Sequence, residues 1–183
     1  MIQSIRIVAF LILLGNMAQA QKYSTKTGTI TFFSEAPLEN IQAINKKVNC
    51  VLNSKTGAME FAVLMKAFEF KKALMQEHFN ENYVESDKYP KSVFKGKIEN
   101  LSAINFSKDF TYDVVISGDL TIHGETRNVK TKGAFTMSGG KIKGNATFTI
   151  LLSDYKIAIP SAVKEKVSNE VKIVVDINLE TST

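Results

Sequence analysis

The sequence predicts an all-β domain, an eight-stranded antiparallel barrel with one short helix near residues 71–80. Three observations carry that expectation. Apolar and polar residues alternate along several segments, as in strands with one wet and one buried face. The longest such segment, Phe110 to His123, far exceeds the usual strand of about 5–6 residues and suits a tilted barrel stave. Three strands between residues 110 and 152 follow one another through short turns, the connectivity that closure uses to remove exposed edges. A sandwich is the other way to pack such strands, but a chain with no Trp and one Cys lacks the immunoglobulin Cys…Trp…Cys pattern.

Residues 1–20 read as a cleaved secretory signal peptide. Arg6 supplies the positive start, Ile7 to Leu14 an unbroken apolar run, and Ala18-Gln19-Ala20 a small-residue cleavage site. The run falls well short of the ~20 residues that span a bilayer, so no membrane-spanning anchor is expected. The domain is then residues 21–183, in a periplasmic or secreted protein.

Along that domain, Gly28 to Ser34 reads as a strand, Pro37 to Ile44 as a turn or two of helix, and Val48, Cys50 and Leu52 as one face of a second strand. Met59, Phe61, Val63 and Met65 alternate with Glu60, Ala62, Leu64 and Lys66 in a third. The helix falls on KKALMQEHFN, where Ala73, Leu74, Met75 and Phe79 have helical spacing, and Ser92 to Glu99 is the next strand. Phe110, Tyr112, Val114, Ile116, Gly118, Leu120 and Ile122 form the apolar row of the long stave. A strand from Arg127 to Met137 leads to Ser138-Gly139-Gly140, whose glycines supply the positive φ of a tight hairpin. Ile142, Gly144, Ala146, Phe148, Ile150 and Leu152 follow, then a turn at Pro160 to Lys166, then Val171, Ile173, Val175, Ile177 and Leu179.

Composition narrows the function. A chain of 183 residues, 44% hydrophobic and 22% charged, can bury a real core in one domain. The net charge of +5 is carried by scattered lysine pairs, without the clustered Lys/Arg that nucleic-acid binding needs. An eight-stranded barrel either fills its interior or holds one small ligand. Gly118, Gly144 and Ala146 on inward rows would leave volume, unless the glycines sit at bends and the phenylalanines fill the core.

Several motifs then resemble one family. Gly28-Thr29-Ile30-Thr31-Phe32, the block Phe68-Glu69-Phe70 through Met75, His78-Phe79-Asn80 and Tyr83, then Tyr89-Pro90 with Phe94-Lys95-Gly96, resemble the YceI-like family. So do Gly118-Asp119-Leu120-Thr121-Ile122-His123-Gly124-Glu125-Thr126 and Asp154-Tyr155-Lys156-Ile157, and the likeness runs from Gly28 to Leu179. The resemblance implies an exported bacterial barrel, lipocalin-like, whose lumen holds an amphiphilic isoprenoid-type lipid, either a polyisoprenoid or an isoprenoid quinone. With the apolar face of each strand turned inward, the lumen residues are Phe61, Val63, Met65, Phe68, Phe70, Met75, Phe94, Tyr112, Val114, Ile116, Leu120, Phe148 and Ile150. His78, Asn80, Tyr83 and Tyr89 would meet the head group at the mouth, although His78 and Asn80 could equally cap or end the helix.

Other chemistries find little material. Glu77-His78-x-x-Glu81 with His123 lacks the spacing of a structural zinc site, and no cofactor or metal is expected. There is no Gly-x-Ser-x-Gly elbow and no phosphate loop, and two histidines are the only imidazole bases, so an enzyme is not expected. Cys50 shares an apolar face with Val48 and Leu52 and reads as a buried, inert thiol. The contrasting reading is an envelope barrel with a packed core that acts through its surface on a protein partner. The sequence leaves monomer and homodimer open.

Overall fold

The computed structural model describes residues 21–182, so the signal-peptide segment lies outside the described residues. In chain order the strands are β1 (Lys22–Glu35), β2 (Asn40–Asn53), β3 (Ala58–Leu64), β4 (Glu69–Phe70), β5 (Lys91–Ile98), β6 (Thr111–Ile122), β7 (Glu125–Ser138), β8 (Lys141–Leu151) and β9 (Glu170–Thr181). Eight of them are staves of a closed antiparallel barrel, in the order β1-β9-β8-β7-β6-β5-β3-β2, and β1 pairs with β2 to complete the ring. The two-residue β4 adds to β2 outside that cycle. One helix, α1 (Ala73–His78), continues into a wide turn at Phe79–Tyr83.

The alternating rows set which face is inside. Val114, Ile116, Leu120 and Ile122 of β6 are buried, as are Ile142 and Ile150 of β8 and Val171, Ile177 and Leu179 of β9. Gly139 and Gly140 turn the β7–β8 hairpin with φ of 55° and 78°, the left-handed pair expected there.

One segment departs from the expected elements. Residues 37–44 contain no helix: Ala36 N donates to Glu39 O at 3.1 Å in a tight turn, and β2 begins at Asn40. The alternation is hidden there because an inward position is polar. Asn45 is 0% exposed; its Nδ2 donates to Leu64 O, and its Oδ1 accepts from Lys47 N, both at 2.9 Å. The β1–β2 register slips beside it, so the inward row passes from Ala43 and Asn45 to Val48, Cys50 and Leu52 out of phase.

The barrel packs in two halves. At one end Tyr23, Cys50, Leu52, Met59, Ile98, Val114, Phe135, Met137, Ile142 and Leu179 form a filled core. Leu101, Ile104 and Phe106 of the β5–β6 connection pack against this core, and Phe106 stacks on Tyr23. The small residues serve this packing rather than opening space. A Cβ on Gly118 would stand 2.3 Å from Gly96 Cα across the strands, and one on Gly144 would meet Ile177 at 2.9 Å and Phe135 at 3.0 Å. The glycines therefore allow strands and large neighbours to close in, and of the three small inward residues only Ala146 borders open volume.

Two predictions follow from this packing. Asn45→Ala leaves the Leu64 carbonyl and the Lys47 amide without partners and should cost about 2–3 kcal/mol, read as a lowered urea midpoint at unchanged slope. Burial pushes the Cys50 thiol well above its ordinary pKa. A thiol reagent should therefore label the protein only after denaturation.

Candidate functional site

The other half of the barrel encloses a cavity of about 490 Å³, inside the roughly 300–1,000 Å³ usual for small-molecule sites. Its floor is the cross-strand pair Phe61 and Phe94, whose rings meet edge-on at 6.1 Å and touch both halves of the core. Phe94 also lies over Gly96, which has no side chain of its own to cover that spot. Ile116 and Val175 complete the floor from β6 and β9. The walls are apolar and mostly aliphatic: Ile30 of β1, Val63 of β3, Leu120 and Ile122 of β6, Ala146 and Ile150 of β8, and Val171 and Ile173 of β9, with the aromatic Phe148 of β8 among them. Ser34, Ser92 and Thr131 are the wall's few hydroxyl groups, and Ser92 Oγ already donates to Thr121 O at 2.9 Å.

A lid covers the open end. The β3–β5 connection brings Phe68 and Phe70, then α1, then Phe79 over the barrel, where Phe79 lies 5.5 Å from Phe32, 5.7 Å from Phe68 and 5.1 Å from Phe70. The rings of this four-membered cluster pack in edge-on, tilted and stacked pairs. Both legs of the lid are tied down. Before α1, Lys72 Nζ sits 2.7 Å from Glu39 Oε1 at the β1–β2 turn. After it, Glu85 Oε2 lies 2.6 Å from His123 Nε2, while His123 Nδ1 is 3.2 Å from the Tyr155 carbonyl oxygen. The Tyr89 ring stands edge-on to His123 at 4.7 Å and fits against Gly124, where a Cβ would approach it to 2.7 Å. Lys156 bonds Glu125 at 2.7 Å beside this turn and holds that carboxyl below the usual range.

The sequence-derived residues divide accordingly. Phe61, Val63, Met65, Phe68, Phe70, Met75, Phe94, Ile116, Leu120, Phe148 and Ile150 border the cavity, and His78 and Tyr83 border it from the lid. Burial pushes the Tyr83 phenol up, so it stands there as a neutral hydroxyl. Tyr112 and Val114 do not border it: they lie toward the N-terminal end of β6, in the filled half, beyond the Phe61–Phe94 floor. Asn80 does not border the cavity; it lies within the wide turn that continues α1, and its Nδ2 donates to Gln76 O at 2.9 Å. Tyr89 is held at the β6–β7 turn and does not reach the mouth.

Other bordering residues were not nominated from sequence. Ile30 and Phe32 alternate visibly on β1, and Val171, Ile173 and Val175 on β9, so their signal was present. Glu39, Lys72, Val163, Lys166 and Val167 lie in the connections between staves, and only the tertiary arrangement gathers them on one cavity. Among the described residues, no group of three His, Cys, Asp or Glu could hold a metal ion, and no helix is long and apolar enough to cross a membrane.

Comparison with known proteins agrees with this architecture. The YceI-like domain profile matches residues 16–179. Among solved structures, a polyisoprenoid binding domain from Saccharophagus degradans, implicated in plant cell wall breakdown, superposes with a TM-score of 0.78 at 11% identity, covering 90% of this chain and 100% of that one. Burkholderia cenocepacia BcnA gives 0.68 at 15% identity over 85% and 96% of the two chains. The Campylobacter jejuni YceI protein gives 0.59 at 15% identity over 76% and 83%. At these identities the likeness is one of fold. No curated protein matches the chain.

Filling the cavity tests whether it is accessible in solution. An apolar fluorescent probe should bind the wild type, and Ala146→Phe should abolish the signal while circular dichroism and urea midpoint stay near wild type.

Proposed function

This chain belongs to the YceI-like domain family, and we propose that it is an exported binding protein that holds one long apolar lipid, a polyisoprenoid or isoprenoid quinone, in the barrel lumen as carrier, store or chaperone. The observation that carries the reading is the division of the barrel: one end filled, the other an apolar chamber with a floor and a lid. Such a chamber favours a chain of methyl and methylene groups, each contributing ~0.8 kcal/mol on leaving water. It has little to offer a polar metabolite, because its wall hydroxyls are few. The phenylalanine lid and Met65 and Met75 give an adaptable apolar surface that tolerates ligands of different shape. The description of the Saccharophagus degradans relative as a polyisoprenoid binding domain supports the same ligand class. The resemblance of residues 1–20 to a signal peptide supports export, with a mature N-terminus at Gln21. We read the protein as a binding protein and not as an enzyme. A surface-acting barrel with a packed core would account for the filled half alone.

Native mass spectrometry of protein purified without detergent tests this. The expected spectrum shows one lipid adduct per chain that extracts into solvent as an isoprenoid, and Phe148→Asp, which puts a carboxylate into the chamber wall, should abolish the adduct in a folded protein. A clean apo mass that persists after incubation with such lipids would overturn the proposal. The same spectrum separates monomer from homodimer.

A further inference from the structure

The chamber takes up only part of the barrel's length. Its lining on β6 runs from Ile116 to Ile122, whereas the strand begins at Thr111. At ~3.3 Å per residue and a stave tilt of roughly 35–45°, that row gives a depth of about 15 Å. What ends it is the pair Phe61 and Phe94. The two are register partners on β3 and β5, and each packs against the filled half on one side and the chamber half on the other. Both are only partly buried inside a closed ring, because each borders the chamber. The pair has no room to sink. The Phe94 ring occupies the place above Gly96, where a Cβ would stand 2.4 Å from its Cζ. Gly96 in turn faces Gly118 across the strands, so closely that a Cβ there would come within 2.3 Å of it. Beyond the pair, Leu52, Met59, Val114 and Phe135 are fully buried against one another.

We propose that Phe61 and Phe94 set the length of apolar tail the protein encloses, so that it selects short-chain isoprenoids and leaves the remaining units of a longer chain outside. The proposal deepens the lumen reading and rests on it. At ~30 Å³ for each water-sized group of a liquid, a chamber of about 490 Å³ takes about 16 such groups. That is close to the carbon count of a farnesyl tail. Each carbon enclosed adds affinity because it leaves water, and each carbon left outside adds none. Affinity plotted against tail length should therefore break where the tail reaches the floor. Two aromatic rings suit a stop of this kind: they are large and rigid, whereas a methionine floor would deform around the tail.

The test holds the head constant and lengthens the tail. Geraniol, farnesol, geranylgeraniol and geranylfarnesol compete with an apolar fluorescent probe for the full mature protein. In the wild type, affinity should rise about tenfold or more from geraniol to farnesol, and by less than about twofold beyond geranylgeraniol. Phe61→Ala removes one ring from the floor and should move the break later by one isoprene unit. Phe61→Leu, a smaller change that a packed core tolerates, should raise geranylgeraniol relative to farnesol and decides the matter if the alanine variant does not fold. Phe148→Ala, which widens the wall without deepening the chamber, should leave the break in place. A steady rise through geranylfarnesol in the wild type overturns the assignment of the floor and leaves the lumen reading standing. So does a break that stays put in a folded Phe61 variant, or one that moves equally in Phe148→Ala. Failure of every prenol to bind overturns the lumen reading, and this proposal with it.

Discussion

Closure of the ring is the constraint on which the rest depends. β1 pairs with β9 along one edge and with β2 along the other, so every stave has two hydrogen-bonded neighbours and the barrel has no free edge. A closed ring of eight strands fixes an interior volume, and the inward side chains must divide it among themselves. Closure also has a local cost. It is met where β1 and β2 change register beside Asn45, whose side chain bonds Lys47 N on its own strand and Leu64 O of β3 from inside the wall.

The interior is divided by size. Large side chains crowd one half, where glycine at 96, 118 and 144 lets strands approach or rings lie flat, and the segment bearing Leu101, Ile104 and Phe106 seals the end. In the other half the inward positions carry mainly Val, Ile, Leu and Ala, with Phe32 and Phe148, and the centre is unfilled. The edge-on pair of Phe61 and Phe94 is the boundary between the halves. Such an apolar chamber gains little from water, since its three wall hydroxyls, Ser34, Ser92 and Thr131, are already hydrogen-bonded within the protein, and the same property makes it a receptacle for hydrocarbon.

The lid extends this logic to the surface. Four phenylalanines, one from the barrel and three from the β3–β5 connection, make a cover that is apolar toward the chamber. Its legs are held by polar contacts as well as by the buried Phe68 and Val84: Lys72 pairs with Glu39 on one side, and Glu85 bonds His123 on the other. The more exposed of the two, Lys72 with Glu39, is individually weak.

What the sequence determined by itself was the set of staves and their inward faces. The rows through Val114, Ile116 and Leu120, and through Phe148 and Ile150, follow from the two-residue period, because a strand with one buried face must alternate. That signal failed at residues 40–45, where the polar Asn45 occupies an inward position and the register slips beyond it. Alternation tells inside from outside but not position along the barrel axis. Val114 and Ile116 share a face on β6, yet only Ile116 reaches the chamber, and Tyr112 lies deeper in the filled half. The stagger between strands decides that. The charged rim of the cavity belonged to tertiary structure altogether: Glu39, Lys72 and Lys166 come from three connections far apart in sequence, and only the closed ring brings them to one cavity.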